Sequence, residues 1–231
     1  MKLIEKIYDN RRSDSVAANL RRKRLELFEA LLCSISHTTE KIAVLDVGGT
    51  EGFWERSSLL SNFNLEITVL NPLDDQHTRI EASLPGVKFI SRDARNMTQF
   101  QDGEFDIAFS NSVIEHVGTY SDQRNMASEV QRVAKRYFIQ TPNLYFPIEP
   151  HFLFPLFQFL PISTRVWLVM SLNVGWRNKW NNKEKAEEFI VSIQLLNKRD
   201  FFNLFPAAKC FEEKFFGLTK CFVAYGGWEM N

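Results

Sequence analysis

The chain has 231 residues, 45% of them hydrophobic and 24% charged, which supplies a buried core and excludes an intrinsically disordered composition. Lys plus Arg and Asp plus Glu both total 28, so the formal net charge is zero and no long-range field draws the chain to nucleic acid. Cys33, Cys210 and Cys221 form an odd set without CxxC or Cys/His spacing, which argues against a disulfide framework and a structural zinc motif and fits a reducing cytoplasm.

The opening residues, MKLIEKIYDNRR, lack the apolar stretch and cleavage site of a secretory signal, so a cytoplasmic location is expected. Residues 13–36 carry apolar side chains at helical spacing, with Ser13 or Asp14 as cap, and open a leading helical segment over 1–40. Within it, Arg21, Arg22, Lys23 and Arg24 read as a solvated helix face. From residue 42 onward, short runs rich in Val, Ile and Phe alternate with polar-faced helical windows, the pattern of an α/β fold with a mostly parallel sheet. Strands are predicted near 42–47, 65–70, 87–90, 105–110 and 136–140, with helices near 53–61, 75–83 and 120–134.

Beyond Thr141-Pro142-Asn143, residues 142–196 form an aromatic insertion with short helices, expected to cover one end of the sheet as a lid or local core. Its most apolar part, 152–172, is broken by Pro155, Pro161 and Arg165, so no transmembrane segment is expected, while peripheral membrane contact stays open. A helix near 197–205 precedes two strands, 209–216 and 219–225, separated by Gly217-Leu218 as in an antiparallel hairpin. Without repeats or low-complexity linkers, residues 1–231 read as one domain of unassigned oligomeric state.

The stretch VLDVGGTEGFW sets bare backbone between a strand and a helix. Glycine permits close approach of a ligand, and the first turn of a helix offers unpaired N–H groups. Two further segments follow in order: FISRDA at the third strand and FDIAFSNSVIEHV around the fourth. Together these resemble the class I S-adenosylmethionine (SAM) dependent methyltransferases, in the branch that methylates small molecules, lipids and glycans. The resemblance implies a Rossmann-like, seven-stranded, mostly parallel sheet with a C-terminal antiparallel hairpin and helices on both faces.

It also implies SAM as cofactor, with Gly48, Gly49 and Gly52 shaping the turn around its methionine part and Asp46 ordering that turn. Asn71 stands where the family usually has a ribose-binding acid. Asp93 and Ala94 match the adenine-contact pair, while Ser110 and Asn111 would flank the transferred methyl. Thr50 replaces the family's middle glycine.

Proton removal from a hydroxyl acceptor needs a base near the methyl, and histidine suits that task at cellular pH. Of the four histidines, His37 and His77 lie in polar, surface-like segments. His151, with Glu149 two residues before it, is the first candidate base; His116 is the second, with a purely structural role as its alternative. No metal constellation is visible. The expected acceptor is a small molecule or glycan, possibly lipid-linked, methylated on oxygen in a polysaccharide or secondary-metabolite pathway. Two alternatives stay open: a non-catalytic binding or regulatory protein on the same fold, motivated by Thr50 and Asn71, and a dinucleotide-dependent oxidoreductase.

Overall fold

A computed structural model describes residues 16–36, 41–72, 84–175 and 178–228, the side chains of 16–20 apart. His37, His77, Trp176 and the helix expected at 75–83 lie outside the described residues. The elements in chain order are α1 (Val16–Cys33), β1 (Ile42–Val47), α2 (Glu51–Arg56), α3 (Leu59–Asn62), β2 (Leu65–Asn71), β3 (Val87–Ser91), β4 (Phe105–Asn111), α4 (Tyr120–Val133) and β5 (Ala134–Pro142). The two-residue strands β6 (Ile148–Glu149) and β7 (Phe154–Pro155) follow, then α5 (Ile162–Ser171), α6 (Lys183–Ser192), α7 (Lys198–Leu204), β8 (Lys209–Phe215) and β9 (Leu218–Gly226).

Seven strands form one sheet in the order β3-β2-β1-β4-β5-β9-β8. Strands β1 to β5 pair in parallel, whereas β9 runs antiparallel to both β5 and β8. The predicted strands are all present, and the sheet agrees with the α/β, Rossmann-like expectation. Order reverses between β1 and β4, and a parallel sheet opens a crevice there, beyond the carboxyl ends of its strands.

Period-2 alternation splits the sheet's side chains between two cores. Leu45, Val47, Ala108 and Ile139 face α4 and α7 through Met126, Val130, Phe201 and Phe205. Val44, Ile67, Val69 and Phe138 face the other side, where Phe28 and Leu32 of α1 and Trp54 of α2 pack. Asp46 alternates onto this second side and is 1% exposed.

Several boundaries differ from the sequence reading. The helix expected at 53–61 is two short ones, because Ser57 adopts an extended conformation after α2. The hairpin turns on Phe216-Gly217 rather than Gly217-Leu218: both residues have positive φ, 47° and 81°, as a tight two-residue turn demands. Helix α4 opens with a capping box in which Thr119 and Asp122 exchange hydrogen bonds. The aromatic insertion is largely a local core, with Phe152, Phe157, Val166, Val169 and Ile190 buried together and Phe154 and Trp180 packed against them. Phe159 and Trp167 remain exposed. Among the described residues no helix is long and apolar enough to cross a membrane.

Candidate active site

The glycine turn after β1 is fixed from beneath. The Gly48 amide donates to the Leu70 carbonyl, and Gly48 adopts φ +75°, a conformation that side chains rarely adopt. A Cβ on Gly48 would also stand 2.4 Å from Val113. At Gly49 an added Cβ would lie 1.7 Å from Asp46 Oδ2, so the turn closes directly over that carboxyl. Trp54 Nε1 donates to the same oxygen at 2.6 Å. Asp46 therefore braces the turn and pins α2 beneath it. Burial, partly offset by the Trp54 hydrogen bond, pushes its pKa up to about 7.

A cleft of about 730 Å³ lies above this turn, lined by Gly48, Asn71, Asp93, Ala94, Ser112 and His116 among others. Asn71 is buried and donates its amide to the Gly49 carbonyl at 3.0 Å, so its side-chain oxygen is the group left for a hydroxyl. Asp93 is paired with Arg95, Nη2 to Oδ2 at 2.7 Å, and the Arg95 hydrogen bonds hold its carboxyl below the usual range. A carboxylate retains lone pairs beyond those an arginine takes, so Asp93 still offers an acceptor at this end of the cleft.

Two expected positions differ. Ser110 is fully buried and donates to the Val47 carbonyl at 3.1 Å, tying β4 to β1 and lining neither cavity. Asn111 lines a second, smaller recess of about 330 Å³, with a side-chain oxygen that is buried and unbonded. The residue at the junction of cleft and recess is Ser112, which the sequence reading passed over. It holds φ +60°, and its hydroxyl donates to Gln140 Oε1 at 2.8 Å, an uncommon backbone state kept where the two cavities meet.

The histidines converge. Glu149 is 2% exposed, and its Oε1 accepts from His151 Nδ1 at 2.6 Å, while Oε2 accepts the backbone amides of His151 and Phe152, both at 2.7 Å. His151 Nε2 then meets His116 Nε2 at 3.0 Å, with the two rings perpendicular. This joins residues 35 positions apart in a line from Glu149 through His151 to His116 at the cleft wall.

Glu115 joins them unannounced. It is fully buried, accepts from Thr141 Oγ1 at 3.1 Å, and leaves Oε1 without a partner. Burial, opposed chiefly by the field of His151, pushes its pKa up to about 7. Glu115, His116 and His151 present ligand atoms within 4.8 Å of one another, a cluster that linear spacing does not reveal. The hydrogen bonds already joining His151 to Glu149 and His116 suit a proton path directly.

A parallel sheet reversing between β1 and β4, a glycine turn over a buried acid, and a cleft beyond it form a Rossmann-like α/β site. Residues 45–137 match the family described as a methyltransferase domain. An uncharacterised protein of Mycobacterium tuberculosis is 29% identical over 130 residues, covering 54% of this chain and 44% of that one, so the chain spans less than half of this curated relative. Among solved structures, the DszA carbon methyltransferase matches 92% of this chain and 55% of its own at 15% identity and TM-score 0.58. Phosphoethanolamine N-methyltransferase 2 of Haemonchus contortus, in complex with S-adenosyl-L-methionine, matches 83% and 38% at 16% identity and TM-score 0.50. The cradle under Gly48 and Gly49 and the acceptor oxygen of Asn71 fit such a cofactor.

Proposed function

We propose that the protein transfers a methyl group from SAM to a hydroxyl of a small molecule or sugar unit, with His151 as the general base. When bound, SAM supplies an electrophilic methyl on a sulfonium, which needs little covalent help from protein. Gly48, Gly49, Asn71, Asp93 and Ala94 would hold it in the cleft.

The observation that carries the reading is the Glu149–His151–His116 line at 2.6 and 3.0 Å. Glu149 accepts from Nδ1, which fixes the imidazole with Nε2 as its basic atom and stabilises the imidazolium formed when Nε2 takes the acceptor's proton. With that Nε2 basic, the 3.0 Å contact has His116 Nε2 as its donor, and His116 itself borders the cleft. The packed Glu149 side chain limits the motion of this base, so proton removal is oriented before the acceptor arrives.

The regulatory alternative rests on Thr50 and Asn71. The Thr50 side chain makes no capping hydrogen bond to α2, and Asn71 braces the turn instead of offering a carboxylate. His151→Ala tests the catalytic reading. Turnover should fall by about 10²- to 10⁴-fold, the usual worth of a positioned base, with SAM affinity unchanged. Full turnover in the variant would remove His151 from the mechanism, and absence of SAM binding to the wild type would favour the regulatory alternative.

A further inference from the structure

Positive charge collects around the smaller recess. Arg21 and Arg24 of α1, Arg56 at the end of α2 and Lys220 of β9 all line it, against a single acid, Glu213. That acid is buried and already shared, with Arg24 at 3.5 Å and Lys220 at 3.4 Å. Neither Arg21 nor Arg56 forms an ion pair with a carboxylate among the described residues. Burial and repulsion from Arg24 and Arg56 depress the pKa of Arg21, with Glu213 opposing. Cations gathered in a partly desolvated recess cost free energy that an anion entering it would offset. The solvated-face reading of the arginine run survives for Arg22 and Lys23, which are exposed, but not for Arg21 and Arg24.

The recess also adjoins the chemistry. Ser112 is common to it and to the cleft, Thr50 of the glycine turn lies on its wall, and the Arg56 guanidinium stands 3.0 Å from where a Cβ on Gly52 would be. Phe53, Phe146 and Ile148 add an apolar side suited to the body of a small molecule.

We propose that this recess is the acceptor subsite and that the acceptor carries a phosphate or carboxylate group, held by Arg21, Arg56 and Lys220 while its hydroxyl faces the cleft across Ser112. Guanidinium groups bind both oxyanions through paired hydrogen bonds, which would fix the acceptor's orientation as well as its affinity. The proposal rests on the methyltransferase reading. Another source of the same chemistry is the carboxylate of the cofactor's methionine part, and the experiment separates the two.

The full chain is titrated calorimetrically with S-adenosylhomocysteine, and the saturated protein is then titrated with inorganic phosphate at constant ionic strength in chloride. Phosphate should bind the saturated protein, and Arg21→Gln/Arg56→Gln should weaken phosphate by at least about tenfold while adenosylhomocysteine affinity stays within about threefold. Thermal melting checks that the variants fold, and Arg56→Gln alone, on an exposed side chain, serves if the double variant does not. Failure of phosphate to bind the saturated protein overturns the proposal. So does a variant that loses adenosylhomocysteine rather than phosphate, which would assign the cations to the cofactor's carboxylate. If the wild type does not bind adenosylhomocysteine, the first titration rejects the methyltransferase reading itself, and the proposal falls with it.

Discussion

The carboxyl of Asp46 should make the protein less stable as the solution becomes alkaline. It is fully buried beneath the glycine turn, with Trp54 as its hydrogen-bond donor, and its pKa stands at about 7 against an ordinary 3.8. The folded value is raised, so the native state favours the protonated form. The contribution to stability is complete below about pH 4 and is lost as pH rises through about 7. Integrating the two titrations between pH 5 and 8 gives a loss of about 3 kcal/mol, equivalent to roughly 6–12 °C in melting temperature for a chain of this size. Glu115, raised from 4.5 to about 7, acts in the same direction over the same window.

Thermal melting of wild type and Asp46→Asn across pH 5 to 8 measures the effect. Asparagine keeps the shape and an oxygen for Trp54 but cannot ionise, so the variant should lose about half of the wild-type pH slope and melt higher than wild type at pH 8. Glu115→Gln should remove most of the remainder. An Asp46→Asn variant that retains the full slope, or a wild type whose stability rises over this interval, would show that the buried carboxyl is not held near neutrality and that the account of the turn is mistaken.

Gly49→Ala should cost about 1–3 kcal/mol from overpacking against Asp46 and abolish measurable binding of adenosylhomocysteine; native melting with native affinity would contradict the cradle described here. Trp54→Phe leaves Asp46 Oδ2 without its indole donor, and a destabilisation of about 1–3 kcal/mol is expected in chemical denaturation. Glu149→Gln should lower turnover by at least about tenfold with unchanged SAM affinity, the pattern of a group that acts through His151; a change in cofactor affinity alone would assign Glu149 elsewhere. Dialysis against a chelator should leave methyl transfer intact, whereas activity lost and restored by a divalent ion would make Glu115, His116 and His151 a cation site.

Periodicity and turn chemistry sufficed to read the α/β class, the five parallel strands and the closing hairpin, because strand alternation and glycine turns are local constraints written within a few residues. The same locality exposed the stretch from Asp46 to Gly52 and, through its likeness to a known family, the cleft it shapes. It misplaced the hairpin turn by one residue, since the positive φ of Phe216 depends on the strand register and not on the identity of that residue.

What only tertiary structure decided are the properties that depend on distance between remote segments. Ser110 and Ser112 are near-identical in sequence terms, yet the pleat buries the first against Val47 and the end of β4 turns the second to the junction of two cavities. Glu115 becomes a titratable buried acid only because Thr141 and the two histidines close around it. Arg21 and Arg24 belong to a cationic recess only because α1 packs beside β8 and β9, bringing Glu213 and Lys220 to them across nearly the whole chain. The sequence alone determined the fold class and the glycine turn; burial and electrostatic coupling, which arise between segments and not within them, decided the histidine line, the buried acids and the charge of the smaller recess.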